Sequence, residues 1–251
     1  MKAIIKVLLL FVVALVSSDA AKGEHASTKK HRVLYNPRVP LSIRQKTSTI
    51  AITRFYGETI IKGQKVALHF YDSQPMKKIN KYTAQQSSRL DLFIESRHRE
   101  QRLFKRINTI PITYHHWPGG KLIVQMEVLW LAPASQTKPI IKVRVETRLS
   151  SGEMSGDDLL FIFPNGLRKS AATQSFDFNY LSGSSGALSN EFGKADKKGF
   201  ITILQKYVGG NGIEYTAWKW NGSRFAVVQE LHISHEYPRR YKWNGEQLVE
   251  E

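Results

Sequence analysis

The sequence predicts an all-β protein: an antiparallel β-sandwich, or two β lobes with hairpin connections, following an N-terminal signal peptide. Three observations carry that expectation. Apolar and polar residues alternate with period two along most of the chain after Thr49. Turn chemistry punctuates these runs at short intervals, as at Gly63, Ala132-Pro133-Ala134-Ser135, Pro164-Asn165-Gly166 and Gly209-Gly210-Asn211-Gly212. Finally, Lys219-Trp-Asn-Gly222 recurs as Lys242-Trp-Asn-Gly245, and Asn-Gly between strand-like runs is the preferred hairpin pair because both turn residues need positive φ.

Residues 1–20 have signal-peptide anatomy. Lys2 and Lys6 form the positive region, Val7 to Val16 an apolar run too short to span a bilayer, and Ser18-Asp19-Ala20 a small-residue cleavage site. Residues 21–46 read as a flexible basic arm, since Lys22 to Arg32 has no apolar periodicity. Residues 47–251 form the β-rich globular region, with a candidate internal boundary near 150–158. Strands are expected at Thr49–Phe55, Lys65–Tyr71, Lys121–Leu131, Pro139–Glu146, Asp158–Phe163, Phe176–Leu181 and Gly199–Tyr207. Ser87 to Ile107 has the caps of a helix, but Glu95 to Arg102 lacks any apolar residue, which favours strand, basic loop, strand. Ala187 to Phe192 has helical composition, and the Gly/Ser-rich segments Ser150–Asp158 and Leu181–Lys198 read as long loops. Two-residue turns at the Asn-Gly pairs place Trp218 opposite Phe225, Tyr241 opposite Leu248 and Arg239 opposite Glu250.

The chain of 251 residues has no cysteine, which excludes disulfides, thiolate metal sites and a lipid-bearing cysteine after the signal. An exported chain without disulfides fits a bacterial origin, with a periplasmic or extracellular destination. The formal charge is +16; the signal contributes Lys2, Lys6 and Asp19, a net +1, leaving +15 on the mature chain. That excess attracts polyanions: anionic polysaccharide, cell-wall polymers or lipid headgroups ahead of nucleic acid.

Catalytic and metal signatures are weak. Gly183-Ser-Ser-Gly-Ala187 faintly echoes a nucleophile elbow around Ser185, with Asp196, His232 and His235 following, but the strand–helix alternation of that fold is missing. His115-His116 and His232-Ile-Ser-His235 have neither zinc spacing nor a shared strand face. No phosphate loop, dinucleotide fingerprint or calcium loop occurs, so no cofactor and no metal is expected. The densest charge is Arg97 to Arg106, where Arg97, Arg99, Arg102, Lys105 and Arg106 are the candidate polyanion-binding residues. His98, Phe104, Tyr114 and Trp117 are candidates for stacking on sugar or base rings. The sequence therefore points to an exported, non-enzymatic β protein that binds an anionic envelope polymer or a protein partner. The alternative is an exported hydrolase with its site in the Gly/Ser-rich loops.

Overall fold

The structure is a computed structural model describing residues 31–47, 51–81, 83–98, 101–163, 166–167, 174–183, 186–234, 236, 239–244 and 246–251. Residues 1–20, where the sequence leads one to expect a signal peptide, lie outside the described residues. Among those described, sixteen strands and one short helix, α1 (Leu41–Arg44), occur in order. The first group is β1 (His31–Tyr35), β2 (Ile52–Ile61), β3 (Gln64–Asp72), β4 (Lys77–Lys78), β5 (Ala84–His98) and β6 (Gln101–His116). The second is β7 (Lys121–Ala132), β8 (Thr137–Arg148), β9 (Met154–Ile162), β10 (Gln174–Gly183), β11 (Gly186–Ala195), β12 (Ile201–Gly209), β13 (Gly212–Trp220) and β14 (Phe225–Ser234). β15 (Tyr241–Trp243) and β16 (Leu248–Glu250) pair as a separate C-terminal hairpin. Every strand pairing is antiparallel, and β1 to β14 form one fourteen-stranded sheet.

Two meanders, β2–β6 and β7–β14, are joined by β1. Its residues 31–33 pair with β7, whereas Leu34 and Tyr35 pair with Glu58 and Gly57 of β2. Gly57 makes this crossing sterically feasible: a Cβ there would stand 2.6 Å from the Leu34 carbonyl oxygen and 2.7 Å from Val33 Cγ1. The segment read as a flexible arm thus supplies the strand that unites the sheet from His31 onwards. It then sends Val39 and Ile43 into a buried cluster with Tyr56, Phe93 and Phe104.

The sheet curves enough for β6 to approach β8 and β9, and for β12 to approach β7. Alternation along β7–β9 consequently feeds two apolar layers. Met126, Val128, Ile141, Val143 and Phe161 meet Leu68, Phe70, Leu90, Leu92 and Ile112 from the first meander. On the opposite face Leu129, Ile140, Leu160 and Ile162 join a cluster with Phe192, Ile203, Trp220 and Phe225. Asp158, fully buried, crosses this apolar setting in a fork with Arg144 at 2.8 and 2.7 Å and accepts from Asn190 Nδ2 at 3.1 Å.

Several sequence expectations need correction. The described residues of the basic run are strand rather than loop, since β5 and β6 pair to their ends, with Arg97 opposite Arg102 and His98 opposite Gln101. Ala187 to Phe192 is strand β11, not helix, and most of Leu181–Lys198 is paired backbone. Its alternation is carried by Leu188, Asn190 and Phe192 on one face and Ala187, Ser189 and Glu191 on the other, a pattern that small polar residues hide. Met154 to Asp158 likewise belongs to β9, whose ladder with β8 is continuous from Met154 to Ile162.

Both Asn-Gly hairpins exist, with registers two residues away from expectation: Trp220 faces Phe225, and Trp243 faces Leu248. The cause is asparagine side-chain chemistry. Asn221 Oδ1 accepts from the Ser223 and Arg224 N–H groups at 3.0 and 2.9 Å, and Asn244 Oδ1 from Glu246 and Gln247 at 2.8 and 2.9 Å. These Asx turns span four residues where a type I′ turn spans two. The two-residue device occurs instead at Lys62-Gly63, with φ 50° and 72° between Ile61 and Gln64.

Candidate functional site

The predicted basic residues occupy different environments. Arg99 lies outside the described residues, as does the side chain of Arg97. Arg102, Phe104 and Arg106 alternate onto one side of β6, while Lys105 lies on the other beside Ile94. Arg102 is neutralised by a compact network, donating to Glu95 Oε1 and Glu58 Oε2 at 2.8 Å each. Lys65 Nζ bridges the same carboxylates at 2.9 and 3.1 Å. Burial pushes the Glu58 carboxyl up, but hydrogen bonds from Tyr56, Lys65 and Arg102 outweigh it and hold it below the ordinary value. The Arg102 hydrogen bonds lower Glu95 likewise. Arg106 reaches buried Asp91 at 3.3 Å and the Lys46 carbonyl at 3.1 Å. Phe104 and Tyr114, expected to stack on a ligand, are buried at 2% and 1% exposure because they fall on core-facing positions.

The expected hydrolase residues do not form a described site. Ser185 and His235 lie outside the described residues. Asp196 Oδ1 is engaged by the backbone N–H groups of Lys198 and Phe200, and His232 lies 3.5 Å from Glu214. Asp196 stands near the Ile201 end of β12, and Glu214 is paired to Tyr207 near its other end. Six residues of strand separate the two positions by about 20 Å.

A different arrangement concentrates recognition chemistry. Across β11, β12 and β13, Ser189, Lys206 and Tyr215 form one cross-strand row on the outer face. Lys206 Nζ lies 5.5 Å from the centre of the Tyr215 ring, a cation–π contact on a half-buried surface. The β15–β16 hairpin docks beside this row and brings Tyr241, Lys242 and Trp243 to it. Docking is specific: the Leu248 N–H donates to Gln229 Oε1 at 2.8 Å, and Gln229 Nε2 donates back to the Leu248 carbonyl at 3.3 Å. Lys219 holds Glu246 at the hairpin tip at 3.3 Å. Leu248 itself fills a small apolar cluster with Leu204 and Ala217.

The resulting open cleft measures about 340 Å³, near the lower end of the range for small-molecule sites. Three aromatic rings, Tyr215, Tyr241 and Trp243, line it together with Lys206, Lys242 and Glu191. Aromatic faces contact the C–H face of a sugar ring, while ammonium groups pair with carboxylate or sulfate and a carboxylate accepts from hydroxyls. In the sequence Tyr241 and Trp243 stand out only as residues of an Asn-Gly hairpin. Their alternation with Lys242 was the visible signal; Lys206 and Tyr215 join them solely through docking of the C-terminal hairpin.

Among the described residues, no group of three His, Cys, Asp or Glu side chains has metal-binding geometry, and no helix is long and apolar enough to cross a membrane. No protein-family model, no characterised protein and no solved structure matches the chain.

Proposed function

We propose that this chain is an exported, periplasmic or extracellular protein that binds an anionic polysaccharide in the cleft between its C-terminal hairpin and β11–β13. The observation that carries the reading is the facing of Lys206 and Tyr215 by Tyr241, Lys242 and Trp243. Cationic excess over the mature chain draws a polyanion towards the surface, and the aromatic cleft supplies the short-range selection that charge alone lacks.

Retention on heparin–agarose and on isolated cell-wall material tests the proposal. The mature protein binds at low salt and elutes as salt shortens the screening length. Trp243→Ala and Lys206→Glu each elute at clearly lower salt, whereas Lys105→Glu, remote from the cleft, has a smaller effect. Equal effects at Lys105 and Lys206, with none at Trp243, assign retention to dispersed charge and overturn the cleft.

A further inference from the structure

We propose that the cleft selects an alternating acidic polysaccharide, in which a carboxylate-bearing sugar is followed by a neutral one, and that Glu191 sets this specificity against densely sulfated chains. The inference rests on the polysaccharide-binding reading and names the ligand class of that same cleft.

Two opposite charges stand unspent there. Glu191 is exposed and has no hydrogen bond or ion pair among the described residues, although Lys206 and Lys242 line the same space. Lys206 likewise has no carboxylate partner among them and rests against the Tyr215 ring. Register explains why acid and base do not meet. Ser189 pairs with Lys206 and Glu191 with Leu204, so the two charges occupy neighbouring rows of one face. The Lys206 ammonium then leans towards Tyr215 on β13, away from β11. Two strand spacings and one row set the carboxylate and the ammonium about 10 Å apart. That is too far for an ion pair and far enough to meet different rings of one sugar chain.

The surface beside them is preformed. Tyr215, Tyr241 and Trp243 are half-buried against the Leu204–Ala217–Leu248 cluster, so little side-chain freedom is lost when a sugar ring lies on them. The two charged groups make different demands. An ammonium pairs with a carboxylate, whereas an exposed carboxylate accepts from hydroxyl or amide N–H groups and repels sulfate. A chain with a carboxylate on every second ring satisfies both, placing an anion at Lys206 and uncharged donors at Glu191. A chain sulfated on nearly every ring sets an anion against Glu191, the repulsive element that discrimination requires. The balance of the cleft agrees: Lys206 and Lys242 against Glu191 leave a single net positive charge, matched by one carboxylate rather than several sulfates.

Isothermal titration calorimetry of the full mature chain at physiological salt tests this, with circular dichroism checking the fold of each variant. The probes are hyaluronan, which carries a carboxylate on every second ring, and heparin, which is sulfated on nearly every ring. Glu191→Ala weakens hyaluronan at least about tenfold, the loss expected of a hydrogen bond to a charged group, and tightens heparin. Trp243→Ala weakens both. Tightening of both polymers by Glu191→Ala, unchanged affinity for both, or wild type that binds heparin but not hyaluronan overturns the inference and leaves the cleft reading standing. Trp243→Ala without loss for either polymer overturns the cleft reading itself, and the inference with it.

Discussion

Acidification from pH 7 to pH 4 tests the burial of His69 directly. Desolvation by the surrounding sheet is the largest influence on its imidazole, opposed by the negative charge of Asp91 and assisted by Arg44, and together they depress its pKa to about 4. In the unfolded chain the ring titrates near its ordinary value of 6.5. Between these values the unfolded state holds one proton more than the folded state, so stability is fully present above 6.5 and falls as pH drops towards 4. The slope is about 1.4 kcal/mol per pH unit, and the total loss on the order of 3 kcal/mol at pH 4. Urea unfolding of wild type and His69→Gln at pH 7, 6, 5 and 4 reads it. Carboxylates titrate in both proteins, so the difference between the two stability curves isolates the imidazole. That difference narrows as pH falls, because only wild type carries the penalty. Parallel curves over this range refute the assignment of a buried, neutral His69.

Asp158→Ala removes the carboxylate that balances Arg144 and Lys142, the latter 3.7 Å away, and costs about 3–5 kcal/mol in urea unfolding. Gly57→Ala forces a Cβ to within 2.6 Å of the Leu34 carbonyl at the β1 crossing, lowering stability by about 1–3 kcal/mol, measured by thermal denaturation. Gly222→Val costs about 1–2 kcal/mol through backbone strain alone, since φ is 107° and nothing lies within 4 Å of a Cβ there; an unchanged urea midpoint contradicts this. Glu58 and Glu95 are held below their ordinary 4.5, so their stabilisation is present above that pH and disappears as pH falls through the lower folded values. The double variant Glu58→Gln/Glu95→Gln therefore has a flatter acid limb in urea titrations.

The all-β character of this protein was legible in local pattern. Alternation in Lys65–Tyr71 or Pro139–Glu146 commits side chains to two faces whatever they later pack against, and Asn-Gly marks the ends of strand pairs. Registers were less legible, because Asn221 and Asn244 turn the chain through their own side chains, and that competition with backbone turn geometry is decided by hydrogen bonds rather than by residue type. The strand at His31–Tyr35 was hidden for another reason: its pairing partners are Met126–Val128 and Gly57–Glu58, so its order comes from long-range ladders rather than its own composition.

Charge density in the sequence likewise identified Arg102 and Arg106 but not their neutralisation, since Glu58, Glu95 and Asp91 reach them from other strands. The candidate cleft arises the same way: Lys206 and Trp243 meet because a terminal hairpin docks through Gln229. Sequence alone determined which residues point to the same side of a strand and how much positive charge the chain carries. Tertiary structure alone decided which of those side chains stand opposite one another, because cross-strand distance depends on register and sheet curvature, which nearest-neighbour pattern does not encode.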